Sequence, residues 1–351
     1  MRLESITPQT PPFSIFLELD RIPVPGEKWP EGFAGWPNVQ AAHMHGMRNA
    51  AANAQPSPVS KSGRGFVMCG GGIYLPTAYV SCQILRKTGS KLPGQLFYLG
   101  DNEMDDFHRR LFAAMNVECV DATQYAEWGT LRNTDAKERG WLLKPFALRH
   151  TKYKSVAAFD ADCYPVVKPE DLFNVTEYFK TGALFFADTP HHDLTEEKWR
   201  ALGFPPQNCS SFESGQMWID TKMHWRAIAL TLWLNSHADF YYQWFWGDKE
   251  TFCVAWRQCK ELYAMPDVRG CIYEGQIIIH YGFGPNAAPV TVHRCRSKFS
   301  PIEGEVYHRL FWNTDQTART PRPYFPNLPY EREAHTAFAN YLRMSKEESC
   351  R

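Results

Sequence analysis

Short apolar runs alternate with segments of helical periodicity from residue 65 onwards. The apolar runs are short enough, and rich enough in aromatic and β-branched residues, to be read as buried strands. We predict strands at Phe66–Cys69, Gln95–Leu99, Val117–Val120, Ser155–Phe159, Ala183–Ala187, Gln216–Ile219, Gln276–His280 and Val290–His293. Strands that alternate with helices are typical of α/β folds, so the pattern predicts a sheet flanked by helices.

Helices are predicted between these strands from their apolar spacing and their end signals. Pro76 in a first turn and Gly89 just beyond a basic last turn bound the first of them. In the second, apolar side chains recur at the spacing of one helix face. The predicted helices are Pro76–Lys87, Phe107–Met115, Lys222–Ser236 and Lys249–Gln258.

Both ends of the chain lack this patterning. Prolines at 8, 11, 12, 23, 25, 30 and 37 interrupt the first part, and residues 50–62 are rich in Ala, Asn, Pro and Ser. We therefore predict an irregular N-terminal arm and linker over residues 1–62, a main α/β domain over 63–300, and a segment over 301–351 that wraps the core.

Charge and composition exclude some classes of protein. The 351 residues include 38 basic and 38 acidic side chains, so the formal net charge is zero. This balance argues against a nucleic-acid backbone or an anionic membrane as the main partner, although a local basic groove remains open. No apolar stretch approaches the roughly 20 residues of a membrane span. With no signal peptide recognisable and ten singly spaced cysteines, we expect reduced thiols and a cytoplasmic protein.

The sharpest local feature is a pair of carboxylates, Asp160 and Asp162, after the apolar strand that ends at Phe159. Ligands of open α/β sheets collect beyond the carboxyl ends of strands, where two hard oxygen donors suit Mg²⁺ or Mn²⁺. A turn-capping Asp pair is the plain alternative. A phosphatase with a nucleophilic Asp is disfavoured because Cys163 follows the motif and the pair lies far from the chain start.

Two further segments have features suited to phosphate groups. Gly70 and Gly71 lie in a glycine run between a strand and a helix, where backbone can approach an anion closely; a flexible turn is the alternative. Lys144 lies in an apolar run, and a buried ammonium needs an anion such as Asp160 or a diphosphate. Exposure of Lys144 to solvent is the alternative there.

Polar residues beside an aromatic tract suggest a sugar site. Gln216 follows Glu213 at the entry of a strand, and Asp248 and Lys249 open a helix after the tract 240–246. Such groups can bond sugar hydroxyls while aromatic rings stack on the sugar. Asp248 could equally be only a helix N-cap.

Two late histidines, His280 and His293, lie in predicted strands, and a lone core histidine is usually structural. Because Asp160 and Asp162 reach a cation from one side, a further ligand from a distant segment is expected. We favour His293, since Arg294, Arg296 and Lys298 follow it and form a basic cluster placed to neutralise a diphosphate. An imidazole ligand predicts a preference for Mn²⁺ over Mg²⁺.

In their order along the chain, these segments resemble the nucleotide-sugar glycosyltransferases of the GT-A fold, specifically the fungal α-1,3-mannosyltransferase (MNN-type) family. The likeness covers about residues 65–299. It rests on Gly70–Leu75, Tyr98–Asp101, Lys144–Leu148, Asp160–Asp162, Thr181–Phe185, Glu213–Gln216, the helix of Trp225 with Leu232–Asn235, Asp239–Tyr242 and Gly247–Lys249.

The resemblance implies roles for single residues. Asp162 and His293 would bind the divalent metal, and Asp160 would contact it or the ribose. Gly70, Gly71 and Tyr74 would lie near the nucleotide, with Lys144 near its diphosphate. Gln216 and Asp248 would face the transferred sugar as catalytic residues, and Lys249 the donor or acceptor.

The resemblance also implies a reaction. A mannose- or glucose-type hexose would pass, with retention of configuration, from a nucleotide-diphosphate sugar to a glycan, lipid-linked or small-molecule acceptor, with Mn²⁺ or Mg²⁺ as cofactor. The alternatives are a glycosyltransferase that modifies a hydroxylated DNA base, which zero net charge disfavours, and a catalytically inactive sugar-binding protein.

Overall fold

The computed structural model describes residues 2–4, 36–132, 136–189, 194–207, 209–242, 244–245, 247–273, 277–284, 286–299, 325 and 327–349. Its strands, in chain order, are β1 (Arg2–Glu4), β2 (Ser62–Cys69), β3 (Gly94–Tyr98), β4 (Val117–Asp121), β5 (Tyr153–Asp160), β6 (Cys163–Pro165), β7 (Ala183–Ala187), β8 (Phe212–Asp220), β9 (Tyr263–Met265), β10 (Cys271–Tyr273), β11 (Ile277–Tyr281) and β12 (Pro289–His293).

All eight strand predictions are confirmed among these elements, although Gln276 itself lies outside the described residues. The helices are α1 (Trp36–Ala52), α2 (Leu75–Lys87), α3 (Asp106–Ala113), α4 (Ala126–Thr130), α5 (Ala136–His150), α6 (Pro169–Leu172), α7 (Thr176–Thr181), α8 (Glu196–Ala201), α9 (Trp225–Ser236), α10 (Ala238–Tyr241), α11 (Lys249–Cys259) and α12 (Glu331–Ser349).

The larger sheet has the strand order β1-β9-β7-β8-β5-β2-β3-β4. Strands β4, β3, β2, β5, β7 and β9 run in one direction, while β8 and β1 run against their neighbours. The predicted α/β architecture, a mixed sheet flanked by helices, is confirmed.

Side-chain alternation along the central strands divides the core into two layers. Val67 and Phe97 face a layer that includes residues of α5, α9 and α11, whereas Phe66 and Leu96 face one that includes residues of α2 and α12. Because successive strand residues point to opposite faces, these apolar runs bury both sides of the sheet. The carboxyl edge between the two layers is left for polar side chains.

A second sheet of four antiparallel strands, ordered β10-β11-β12-β6, begins only two residues after β5 ends. Strand β6 pairs with β12 so that Cys163 lies opposite His293. The two sheets therefore meet at the segment that carries the acidic pair.

The predicted irregular arm needs correction. Helix α1 occupies residues 36–52 of it, and Met47 and Ala51 are buried in the core. Pro37 is compatible with this helix because it lies in the first turn, where proline removes no helical hydrogen bond. Residues 5–35 and 301–324 of the predicted end segments lie outside the described residues.

Helix α12 packs its Ala334, Phe338 and Tyr341 against the layer that contains α2. Among the described helices, none combines the length and apolar character needed to cross a bilayer.

Candidate active site

The acidic pair lies at the junction of the two sheets. Asp160 is the last residue of β5, and Asp162 comes immediately before β6. The Asp162 carboxylate is buried, whereas the Asp160 side chain is 28% exposed. The pair therefore combines one carboxylate within the protein with one that solvent or a ligand can reach.

His293 is brought to this pair by strand pairing. Its position opposite Cys163 places its Nε2 3.4 Å from Asp162 Oδ1. One ligand atom from each of Asp160, Asp162 and His293 lies within 4.8 Å of the others. Two carboxylates and an imidazole form a donor set that fits Mn²⁺ or Mg²⁺. The predicted trio is thus assembled, while its metal-binding role stays a prediction.

His280 does not belong to this trio. It is fully buried in β11, where burial lowers the pKa of its imidazole to about 3. His280 is therefore a neutral core histidine, which is the structural role expected of a lone buried histidine. Of the two late histidines, the geometry favours His293 as the metal ligand.

Gly215 provides the space that His293 occupies. A Cβ at residue 215 would lie 2.6 Å from His293 Nδ1, a separation that nonbonded atoms do not adopt. The buried Glu213 carboxylate accepts the Gly215 amide at 2.8 Å and lies 3.6 Å from His293 Nδ1. Sequence reasoning singled out this segment but gave Glu213 no part beside the histidine.

Lys144 projects from α5 into a cluster of anions. Its Nζ lies 2.7 Å from Asp160 Oδ1 and 2.8 Å from Asp248 Oδ2, and it donates to the Ser214 carbonyl at 3.1 Å. The prediction that this ammonium reaches the acidic pair is confirmed. Burial opposes its charge, but Asp160 and Asp248 prevail and raise the pKa of Lys144 well above its usual value.

Asp248 occupies the residue before α11 but does not cap that helix through its side chain. Its carboxylate instead forms an ion pair with Lys144, and the Ser214 hydroxyl lies 3.3 Å from its Oδ1. The plain N-cap reading is therefore not what the geometry supports. Lys144 and Asp248 tie the start of α11 to the end of β5.

Lys249 points to a second group of acids. Its ammonium contacts the fully buried Asp188, which follows β7 at the same sheet edge, and lies 3.8 Å from Glu250 Oε1. Sequence reasoning missed Asp188. An aspartate directly after a predicted parallel strand was the signal that could have found it.

Gln216 lies on β8 opposite Phe159 and is completely buried. The Cys163 thiol donates to its Oε1 at 3.3 Å, while its Nε2 has no hydrogen-bond partner among the described residues. Such an amide can donate to a ligand hydroxyl.

The glycine loop follows β2 as predicted. A Cβ at Gly71 would lie 2.4 Å from Glu103 Oε2, so this position needs glycine for the loops after β2 and β3 to meet. Burial, with Asp160 and Glu103 adding to it, raises the pKa of the Tyr74 hydroxyl. A Cβ at Gly70 would lie 3.2 Å from the Cβ of Ala161, the residue between the two aspartates, so Gly70 and Tyr74 border the acidic pair.

The basic cluster after His293 divides into three different environments. Lys298 contacts the Asp162 carboxylate, and burial lowers the pKa of its ammonium to about 8. Arg296 is exposed, whereas Arg294 is buried and paired with Glu331. The expectation that all three face a diphosphate is wrong for Arg294, because its charge is already neutralised.

The aromatic tract is mostly core. Phe240, Tyr241 and Phe245 are buried, while Tyr242 and Trp244 are half-buried. Gln243 and Trp246 lie outside the described residues. Three of these rings therefore pack in the core. Among the described residues, the expectation that rings of this tract stack on a sugar rests on Tyr242 and Trp244.

Comparison with known proteins adds to this geometry. A family model described as a mannosyltransferase matches residues 63–203 and 204–269 of the chain. The matched region contains every predicted site residue except His293.

Two curated relatives are similar over more than half of the chain. The α-1,2-mannosyltransferase MNN24 of Candida albicans is 26% identical over 55% of this chain and 32% of its own. The α-1,2-mannosyltransferase MNN2 of Saccharomyces cerevisiae is 24% identical over 62% of this chain and 44% of its own. The chain thus spans less than half of the length of these relatives, 32% of one and 44% of the other.

Among solved structures, mouse xyloside xylosyltransferase 1 is 14% identical, with a TM-score of 0.41, over 58% of this chain and 85% of its own. The curated relatives also correct one expectation. They are named α-1,2-mannosyltransferases, so the resemblance is to the α-1,2 and not to the α-1,3 enzymes.

Proposed function

The chain belongs to the mannosyltransferase family, and on that premise we propose that it transfers a hexose from a nucleotide-diphosphate sugar to a hydroxyl acceptor. Mannose is the sugar we propose first, because the curated relatives are named for it. From the same names we propose an α-1,2 linkage, formed with retention of configuration.

The observation that carries this proposal is the convergence of Asp160, Asp162 and His293 at the carboxyl edge of the sheet. These three residues would hold Mn²⁺ or Mg²⁺. When bound there, the ion supplies positive charge to the donor's diphosphate as it leaves. We propose a preference for Mn²⁺ because one of the three ligands is an imidazole.

The chain's own groups prepare this site. Lys144 holds the carboxylates of Asp160 and Asp248 in fixed positions, so that they need not reorganise when a substrate arrives. Lys298 places a second cation on Asp162, beside the proposed diphosphate position.

The remaining predicted residues are assigned to the two substrates. We propose that Gly70, Gly71 and Tyr74 contact the nucleotide. Gln216 and Asp248 face the transferred sugar, where the unpartnered Gln216 Nε2 can donate to a hydroxyl. Lys249, held by Asp188, would orient the donor or the acceptor.

The acceptor we propose is a glycan, a lipid-linked sugar or a small molecule. A DNA-base acceptor is less favoured, since the formal net charge is zero. A cytoplasmic location also remains a proposal, supported by nine free cysteines in the described part of the chain.

Asp162→Asn tests the metal site directly. The substitution keeps the side-chain shape but removes a charged oxygen ligand, so turnover should fall by at least about 100-fold. The variant should still fold, as circular dichroism would show, although Lys298 loses its anion and the thermal midpoint falls. Asp106→Asn, which changes an exposed carboxylate on α3, is the matched control and should leave turnover unchanged.

The assay should offer GDP-mannose, UDP-glucose and UDP-galactose with a mannoside acceptor, with and without Mn²⁺, and identify the product linkage by NMR. Full activity in EDTA, or an active Asp162→Asn enzyme, would contradict the metal site. Binding of a nucleotide sugar, seen as a raised melting temperature, without turnover of any donor would favour the inactive sugar-binding alternative.

A further inference from the structure

The turn that follows His293 is closed by a buried arginine. Arg294 is 1% exposed, and its Nε and Nη2 donate to the carbonyl and the hydroxyl of Ser297 at 2.7 and 2.9 Å. Its backbone amide donates to the Asp162 carbonyl at 2.9 Å. The turn therefore has His293 before it and Lys298 after it, and both side chains lie against the Asp162 carboxylate.

The charge of Arg294 is balanced from outside the α/β domain. Glu331, the first residue of α12, is 2% exposed, and its Oε2 accepts from Arg294 Nη1 at 2.6 Å. Its Oε1 accepts the Phe325 amide at 3.1 Å and lies 3.1 Å from His335 Nε2. Phe299 and Phe325 stack on the guanidinium at 4.6 and 5.7 Å.

This arrangement is costly unless both charges are present. A buried guanidinium without an anion would turn toward water or draw water in, and either change would release its hold on Ser297. In the described part of the chain, the carboxylate that pairs with Arg294 comes from Glu331. The geometry of the turn thus depends on a residue that lies beyond the part of the chain matched by the family model, which ends at residue 269.

We propose that Glu331 is a positioning residue for the metal-binding turn and acts through Arg294. Helix α12 then contributes to the site, because it supplies the anion that keeps His293 and Lys298 in contact with Asp162. This inference rests on the proposed function for its metal, but the placement of the turn can be measured without any metal.

Glu331→Gln in the full chain is the first test. Loss of an outer-shell partner of metal ligands lowers metal affinity by about 10- to 100-fold, so Mn²⁺ titrated alone and followed by electron paramagnetic resonance should bind at least about tenfold more weakly. Hydrogen exchange at the amides of 294–298 should become faster. Wild-type Mn²⁺ affinity and wild-type exchange in the folded variant would overturn the proposal.

Glu348→Gln is the matched control. Glu348 lies on the same helix and pairs with Arg110 at 2.7 Å, but this pair is exposed and distant in sequence from the turn. Since exposed pairs contribute little, Mn²⁺ affinity and exchange should stay within about twofold of the wild type. An equal loss in both variants would mean that α12 docking in general, and not Glu331, sets the affinity, and would overturn the assignment.

A second variant covers the case in which Glu331→Gln fails to fold. Arg294→Met with Glu331→Leu removes both charges together, and such apolar replacements of buried pairs generally keep the fold. A folded double variant should still bind Mn²⁺ at least about tenfold more weakly, because the hold on Ser297 is gone. Wild-type affinity in that variant would show that the pair only stabilises the fold.

The two readouts separate this inference from the proposed function. A wild-type chain that binds no Mn²⁺ contradicts the metal site. In that case hydrogen exchange alone tests the positioning role of Glu331. Faster exchange at 294–298 in Glu331→Gln, with none in Glu348→Gln, supports the positioning role. Unchanged exchange in both overturns it.

Discussion

Residue 215 shows how a missing side chain can shape a site. Because the space of its Cβ is taken by the His293 ring, Gly215→Ala must displace the imidazole from Asp162. The nearest clashing atoms, His293 Nδ1 at 2.6 Å and Cε1 at 2.8 Å, belong to a side chain and not to the backbone, so we expect the variant to fold. It should bind Mn²⁺ about tenfold or more weakly. A titration followed by electron paramagnetic resonance measures this.

Gly140→Ala is the control for that substitution. Gly140 is an exposed residue of α5, and a Cβ there would meet no atom within 4 Å. Alanine should stabilise the helix by about 0.5–1 kcal/mol and leave Mn²⁺ binding unchanged. A Gly215→Ala chain that binds Mn²⁺ as tightly as Gly140→Ala would contradict the position assigned to His293.

Glu250 makes stability depend on pH. It is 1% exposed, and burial raises the pKa of its carboxyl from 4.5 to about 8, although Lys249 opposes the shift. Between these values the folded chain holds a proton that the unfolded chain releases. This contribution to stability is therefore complete below about pH 4.5 and is lost as the pH rises towards 8, by at most ~1.4 kcal/mol per pH unit.

Glu250→Gln removes this titration, so the variant should lose less stability than the wild type between about pH 5 and about pH 8. Urea unfolding midpoints of both chains at the two pH values measure the difference. The comparison isolates Glu250 because every other titrating group is shared. Parallel losses in the two chains would show that Glu250 is already ionised in the folded state.

At the scale of elements, Lys144 joins three of them: α5, which carries it, the end of β5 and the start of α11. Lys144→Met keeps the length of the side chain but leaves Asp160 and Asp248 facing each other without a cation. Breaking a buried ion pair from one side costs about 3–5 kcal/mol, so we expect a loss of that order in urea unfolding, discounted because Asp160 is partly exposed.

Lys154→Met is the matched control for that change. Lys154 lies at the start of β5, at the opposite end of the strand from Asp160. It is half exposed, and its Nζ lies 3.4 Å from Asp220 Oδ2. Its removal should cost less than about 1 kcal/mol. Equal losses for the two lysines would mean that Lys144 is solvated and does not hold the elements together.

The strands were predictable because each is an apolar run that both layers bury, as in Phe66–Cys69. Helix α5 was harder to predict, since Pro145 lies inside it and proline normally ends a helix. Packing of Leu142, Leu143 and Phe146 in the core overrides that preference. Tertiary contacts of this kind are not visible in local patterning.

The site was predictable where one segment carried its own signal. Asp160 and Asp162 follow an apolar strand, and Lys144 is a charge within an apolar run. Asp188 and Glu331 were not predictable in this way, because their importance depends on partners, Lys249 and Arg294, that lie far away in sequence. The pairing of β6 with β12 sets the position of His293 opposite Cys163. This register forms only in the folded chain, so local sequence does not predict it.

At the scale of the whole molecule, the described ends of the chain complete the core. Helix α1 stacks His43 on Phe240 with ring centroids 3.8 Å apart. Helix α12 packs Phe338 against Phe299 at 5.3 Å. These contacts belong to the two core layers on opposite faces of the large sheet, so each layer is complete only when its end helix is present.

A fragment limited to residues 63–300 should therefore be less stable than the full chain. It would expose the apolar surface that α1 and α12 cover, and Arg294 would lose Glu331. Contiguous apolar surface of this kind promotes association. We expect the fragment to bind a hydrophobic dye strongly and to self-associate in gel filtration, whereas the full chain should do neither. The fragment should also melt at a lower temperature than the full chain. A monomeric fragment with the thermal midpoint of the full chain would show that the segment 63–300 is an independent domain and that both end helices are additions to it.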